Sequence, residues 1–326
     1  MNSNQKISIV THSGIFHCDD VCACTLLKYL LGEDNVNIIR TRDMAVIEKG
    51  DYVVDVGLVY DPDNNRFDHH QRGCFECFEC VEESSEKEEK VQIPMSSIGM
   101  VYKKYGKEFI RKVLENSYWR NIRYDKLDCI YRNFYSKFVR EIDAIDNGVK
   151  QLEDDSELKY KIHTNISSIV SRYNRSEGEN DLYFDIAGSF VLEMMTCIIN
   201  DLYYKSIQFD RDYESIKHAY ENRTNDHLLI FDTYPINLVP ALLKFEKDSG
   251  CEEIKLVIYP SNGDSQWNCR TISLNFNNRH SLLSKEELLE KDRTLEDTLI
   301  FVHNNRFIGA TKTRESAIRL ALVCLS

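Results

Sequence analysis

The chain has 326 residues, 42% of them hydrophobic and 29% charged, and a formal net charge of −12. That length and apolar content support a sizeable core and two domains, and they exclude an intrinsically disordered chain. The negative balance excludes nucleic-acid binding driven by charge over the whole surface, but leaves room for a local basic track.

No apolar run approaches the roughly 18 residues that a membrane-crossing helix needs, so no membrane partner is expected. Met1 to Lys6 is short and polar with one cation, which resembles neither a signal peptide nor an Arg-rich transit peptide. The 11 cysteines are odd in number and lack a framework spacing. They read as reduced thiols, and the expected location is cytoplasmic, nuclear or both.

Ile7 to Val10 is a β-branched run that predicts a buried strand, followed by the polar turn Thr11-His12-Ser13-Gly14. Val21 to Leu31 has helical spacing, and Val36 to Ile39 and Tyr52 to Val56 predict two more strands. Strands joined by crossover helices point to a parallel sheet, whose chemistry sits just beyond the carboxyl ends of its strands. His12, Asp43 and Asp55 fall at or near such ends. Glu76 to Lys90 holds seven Glu and two Lys and reads as a solvated loop. A helical stretch with breaks runs from Ser96 to Asp146. Between Lys103 and Arg140 it carries 11 Lys/Arg against 4 Asp/Glu, interleaved with aromatic rings. That pattern has two readings: amphipathic helices with rings in the core, or a track for single-stranded nucleic acid in which rings stack on bases. Glu153-Asp154-Asp155 marks a boundary, and residues 156 to 225 look helical. His227 to Asp232, Ile254 to Tyr259, Trp267 to Ser273 and Leu299 to His303 predict strands, and Thr313 to Leu325 a closing helix.

Three segments carry chemistry: His12-Ser13-Gly14-Ile15-Phe16-His17-Cys18-Asp19-Asp20, Val53-Val54-Asp55-Val56-Gly57 and Asp68-His69-His70-Gln71-Arg72. Singly, each has a bland reading as a surface loop or a strand-ending turn. Together, on successive strand-to-loop transitions, they offer more imidazole and carboxylate groups than one ion takes. They fit two divalent ions about 3.5–4 Å apart that share a carboxylate, and Asp55, after its apolar run, is the natural bridge. The spacing Cys74-x2-Cys77-x2-Cys80 lacks a clear fourth ligand and reads as incidental or structural.

These segments, with Tyr60-Asp61-Pro62, Glu141 to Gly148, and the tail from Phe301-Val302-His303 through Phe307-Ile308-Gly309 to Thr313-Arg314-Glu315, resemble the Myg-type family. That family comprises the melanocyte proliferating gene product and its relatives, and it is related to the DHH phosphoesterases. The resemblance spans nearly the whole chain. It implies an α/β fold: an N-terminal, mostly parallel, DHH-like sheet flanked by helices, with a smaller C-terminal α/β domain. The expected organisation is a catalytic metal-binding domain over residues 1–150, a helical connecting region over 151–225 and a substrate-binding α/β domain over 226–326. The implied activity is metal-dependent phosphodiester hydrolysis, 3′-to-5′ on RNA, with two divalent ions. Mn is favoured, with Mg, Co and Zn as alternatives. Carried over by position, His12, His17 and Asp55 hold the first ion. Asp19, Asp55, His69 and one of Asp143 and Asp146 hold the second. His70 faces the phosphate, Asp68 orients the imidazoles, and Arg72 completes the catalytic set. Gln71, Gly309, Lys312 and Arg314 bind substrate.

The chain departs from the family at Gly309-Ala310-Thr311, where relatives read Gly-Gly-His. This keeps two alternatives in view: a phosphoesterase or pyrophosphatase of small molecules, and an inactive protein that retains a metal site and binds RNA. Relatives are associated with nucleus and mitochondria, so a mitochondrial location also belongs to the implied range.

Overall fold

β-branched runs build the first sheet. The computed structural model describes residues 6–78, 92–152, 159–175, 180–261, 265–274 and 277–326. Most of the acidic Glu76–Lys90 segment, Cys80 and Glu153-Asp154-Asp155 lie outside the described residues. The chain divides into two units, Met1–Tyr203 and Tyr204–Ser326. The division falls inside the region expected to connect the domains.

In the first unit the order is β1 (Ile7–Thr11), α1 (Cys18–Leu31), β2 (Val36–Arg40), α2 (Met44–Ile47), β3 (Tyr52–Val54), β4 (Tyr60–Asp61) and β5 (Arg66–Phe67). α3 (Ser97–Glu115), α4 (Leu127–Phe134), α5 (Arg140–Asp146) and α6 (Ile166–Ser171) follow. The sheet order is β2-β1-β3-β5-β4, parallel except for the hairpin of β4 with β5. Three adjacent parallel strands, β1, β3 and β5, therefore end along one edge. Ile9, Val10, Val53, Val54 and Phe67 are buried in this sheet, which anchors the loops that leave its carboxyl ends. α1 covers the sheet with a face that is buried from Cys18 to Leu27. α3 packs beside it with Ile98, Val101, Phe109, Ile110 and Val113 turned inward.

α7 (Asn180–Glu221) is a single helix that runs through the unit division. By length and composition it could cross a membrane, contrary to the sequence expectation. Its first half instead buries Phe184, Ala187, Val191, Met195 and Ile199, a stripe at three- and four-residue spacing that belongs to a packed helix. Phe184 meets Phe16 edge-on, and Asn200 accepts from the Trp119 indole at 2.6 Å.

The second unit adds β6 (Leu228–Ile230), α8 (Leu238–Ser249), β7 (Leu256–Pro260), β8 (Trp267–Thr271), β9 (Ser273–Leu274), β10 (Asn277–Asn278), α9 (Lys285–Lys291), β11 (Leu299–Val302), β12 (Ile308–Thr311) and α10 (Arg314–Leu325). Its main sheet, β11-β12-β8-β7-β6, is mixed, with only β6 and β7 parallel. One face is covered by α8 and the end of α7 through Leu242, Phe245 and Ile216. The other is covered by α9 and α10 through Leu288, Leu320 and Ala321.

Candidate metal centre

β1, β3 and β5 each end on a polar group, and in β1 and β3 an apolar run stops there. β1 leads into His12, β3 into Asp55, and β5 into Asp68-His69-His70. Asp55 has a φ of +57°, in the left-handed region that Asp and Asn tolerate better than most residues. Its backbone N–H is held by the Phe67 carbonyl at 3.0 Å, so the strained turn is fixed by the neighbouring strand. Gly57, at φ +97°, continues the turn where a side chain would be strained.

α1 starts at the same edge and brings His17, Asp19 and Asp20. Asp20 accepts the His17 backbone N–H at 2.9 Å, which closes the helix N-terminus. Asn174 grips the preceding loop by accepting from Phe16 N and donating to Phe16 O, both at 2.9 Å. α5 contributes Asp146, and α3 contributes Ser97.

The distances define the centre. His12 Nε2 lies 3.2 Å from Asp20 Oδ2 and 3.3 Å from Asp55 Oδ2. His69 Nε2 lies 3.1 Å from Asp146 Oδ2, 3.3 Å from Asp55 Oδ1 and 3.9 Å from Asp19 Oδ2. Ser97 Oγ donates to Asp55 Oδ1 at 2.9 Å. Among the described residues three ligand groups emerge, each with donor atoms within 4.8 Å of one another: His12, His17 and Asp55; His17, Asp19 and Asp146; and Asp55, His69 and His70. Asp55 and His17 each belong to two of them.

Burial alone would push the His12 and His69 pKa values down, but the surrounding carboxylates raise both to about 10. Burial works against ionisation of Asp55 too, yet His12 and His69 outweigh it and hold the carboxyl below its ordinary range. Asp19 has no such compensation. Burial, then the nearby Asp55, Asp146 and Asp20, raise its pKa well above a normal carboxylate.

The residues suit divalent ions. Asp19 Oδ1, Asp20 Oδ2 and His69 Nε2 are buried without a hydrogen-bond partner. The last two lie within ion-pair distance of opposite charge but off the hydrogen-bonding direction. Buried ligand atoms left without a hydrogen-bond partner are what a bound cation would satisfy. A mixed imidazole and carboxylate set is chemistry for Mn, Fe, Co or Zn.

Asp68 is buried and stands behind the centre. Its Oδ1 accepts from His70 N at 3.0 Å and pairs with His70 Nδ1 at 2.8 Å, while Oδ2 accepts from Leu58 N at 2.6 Å. It orients His70, whose side chain is 53% exposed. Gln71 is half-buried beside it, and Arg72 is exposed.

Two expected residues stand elsewhere. Asp143, three residues before Asp146, turns into the packing between α3 and α5. Its Oδ1 accepts from Ser96 N at 2.9 Å and Ser96 Oγ at 2.8 Å, and its Oδ2 from Tyr135 OH at 3.0 Å. A Cβ on Gly99 would lie 2.5 Å from that carboxylate, so α3 needs glycine there. Asp146, not Asp143, stands with His17 and His69. Gly309 lies inside β12, paired with Cys269 and Val302, and is buried, which leaves it no surface for a substrate. Lys312 follows on an exposed bend and Arg314 is the exposed first residue of α10, 3.6 Å from Asp232 and over the Trp267 ring.

Most rings of the basic stretch fit its first reading, although Tyr118 and Tyr124 are exposed. Tyr102, Phe109, Phe134, Tyr135 and Phe138 are core residues. Lys104 reaches Pro62 O and Asn65 Oδ1, Lys112 the Leu30 carbonyl, Lys103 the Cys77 carbonyl, and Arg111 pairs with Glu115. The sequence reading missed Ser97, and it placed Asp20 in the first chemical segment without giving it a role. The Asp19-Asp20 doublet and the Ser96-Ser97 pair, each at a helix start, were the available signals.

A family described as "MYG1_exonuc: Uncharacterised protein family (UPF0160)" matches residues 8–325. The chain belongs to the MYG1 exonuclease family. It is 32% identical to the MYG1 protein of Dictyostelium discoideum, with 98% of this chain and 97% of that one covered. It is 30% identical to the MYG1 exonuclease of Bos taurus, with 98% and 84% covered. Among solved structures it matches RecJ in complex with Mn2+ from Thermus thermophilus with a TM-score of 0.27 and 11% identity. That match covers 99% of this chain and 53% of the other, so the chain spans about half the length of that structure.

Proposed function

We propose that this family member is a metal-dependent phosphodiesterase that removes nucleotides from the 3′ end of RNA. One observation carries the reading: Asp55, strained into a left-handed turn, presents one carboxylate oxygen to His12 and the other to His69, 3.3 Å from each. A relative named as an exonuclease supports it. His12, His17 and Asp55 would hold one ion, and Asp19, Asp55, His69 and Asp146 a second, with Mn favoured over Mg, Co and Zn. When bound, such ions lower the pKa of water and neutralise phosphoryl oxygens.

The chain's own groups do the rest. Ser97 fixes the Asp55 carboxylate from behind. Asp68 fixes His70 Nδ1, which leaves Nε2 to meet the phosphate. Its hydrogen bond to Asp68 raises the His70 pKa, which favours the protonated ring that can offer a proton and positive charge to a phosphoryl or leaving oxygen.

A second reading, a phosphoesterase acting on small substrates, draws on the local partners of Lys103, Lys104, Arg111 and Lys112, which leave less charge for a long polyanion. Hydrolysis of an RNA oligonucleotide, its DNA counterpart and a small phosphodiester, each with Mn2+ at two salt concentrations, separates the two. RNA cleavage that weakens with salt supports the nuclease. Turnover of only the small ester supports the alternative, and no turnover of any of them overturns both.

A further inference from the structure

The metal-ligand edge formed by His17, Asp19 and Asp146 is also one wall of a cavity of about 360 Å³. Its remaining lining is Cys18, Ile142 and Ile145 of α5, and Ser167, Ser168 and Ser171 of α6. That volume is in the range that takes small ligands, roughly 300–1,000 Å³. No lysine or arginine is among the described residues lining it, so it is not built for phosphate. Ile142 is buried, so the cavity offers one exposed branched apolar side chain, Ile145, beside its serine hydroxyls.

The hydroxyls differ. Ser171 Oγ is spent on the Ser168 carbonyl at 2.9 Å. Ser167 Oγ is buried with no hydrogen-bond partner, which costs free energy unless a ligand supplies one. Asn174, just past α6, holds both backbone groups of Phe16, so the serines keep their position relative to His17.

We propose that this cavity holds the terminal nucleoside of the substrate, with Ile145 under the base and Ser167 Oγ bonded to a ribose hydroxyl. The inference rests on the phosphodiesterase reading, because the ester it serves is the one held at the metal edge. A flat apolar base and a hydroxyl-bearing sugar match the two kinds of surface the cavity offers. A free phosphate or an acidic group matches neither.

The test is calorimetric titration of the full chain loaded with Mn2+, using inorganic phosphate, ribose 5-phosphate, AMP, 2′-deoxy-AMP and 3′-deoxy-AMP. Affinity should rise from phosphate through ribose 5-phosphate to AMP. Ser167→Ala, checked for unchanged Mn content, should weaken AMP about three- to tenfold, the size of one hydrogen bond. It should leave unchanged the deoxynucleotide that lacks the bonded hydroxyl. The proposal is overturned if AMP binds no tighter than phosphate, or if Ser167→Ala weakens AMP and both deoxynucleotides alike, or weakens none. The two readings fail separately. An intact AMP series without oligonucleotide cleavage sinks the phosphodiesterase alone, whereas cleavage with a flat series sinks the nucleoside cavity alone.

Discussion

Asp55→Asn removes one charge and little volume, and its effects follow from the contacts. The carboxylate faces His12 and His69, each at 3.3 Å, and accepts from Ser97 at 2.9 Å. All of these side chains are nearly buried: Asp55 is 2% exposed, His12 5% and His69 10%. Removing one partner of a buried ionic set costs about 3–5 kcal/mol, because the opposite charges stay behind uncompensated. Asparagine keeps an acceptor for Ser97 and tolerates the φ of +57°, so the loss should sit at the lower end, about 3 kcal/mol. Urea unfolding of the chelated protein measures it. Mn2+ affinity should fall more than about 100-fold, beyond the loss typical of groups that only support a ligand. His70→Ala is the control, since its ring is half-exposed and paired with Asp68; it should keep Mn2+ affinity within about tenfold. The reasoning is refuted if chelated Asp55→Asn is as stable as the parent protein, or if it binds Mn2+ undiminished.

Three further predictions follow from individual contacts. Burial raises the Asp143 pKa to about 7 against the hydrogen bonds from Ser96 and Tyr135. The folded state therefore holds this proton longer than the unfolded state, and stability should fall as pH rises from about 4 to about 7, by up to about 4 kcal/mol. Asp143→Asn, which mimics the protonated form, should show a smaller fall in urea midpoints between those pH values, and an identical fall contradicts the assignment. Ser97→Ala should cost about 1–2 kcal/mol and weaken Mn2+ binding by about tenfold, since it frees the Asp55 carboxylate; calorimetric affinity equal to that of the parent would exclude a positioning role. Lys104→Gln should loosen the turn at Pro62–Asn65, seen as faster amide exchange there, and leave the salt dependence of RNA binding unchanged; a shallower salt slope would restore the basic track.

The parts of the site legible from sequence are those at strand ends. His12 and Asp55 each follow a β-branched or apolar run, and the edge of a parallel sheet gathers such ends without further information; Asp68-His69-His70 follows only the two-residue strand Arg66–Phe67 and was legible from its own residue types. The role of Asp20 and the presence of Ser97 were not legible, because both act from helix N-termini whose placement depends on how α1 and α3 pack. Asp143 and Asp146 share a helix three residues apart and look equivalent in sequence; the close approach of Gly99 and the donors on Ser96 and Tyr135 decide between them. In the second unit, β12 went unseen because Ile308-Gly309-Ala310-Thr311 has weak strand propensity and is held by β8 and β11. α8 was missed where Pro240 falls in its first turn, a position that tolerates proline but reads as a break. The rings of the 102–138 stretch had two readings because an amphipathic helix and a stacking platform share one composition. Burial of Tyr102, Phe109 and Phe134 assigns these rings to the core.

The central claim is that Asp55 joins two metal positions that together hydrolyse a phosphodiester. The most direct measurement is bound Mn2+ per chain, by mass spectrometry of the native protein, alongside RNA hydrolysis by the same samples before and after chelation. The account predicts two ions in the parent protein, hydrolysis abolished by chelator and restored by Mn2+, and loss of ions and hydrolysis together in Asp55→Asn. Full hydrolysis in excess chelator with no metal bound would contradict it.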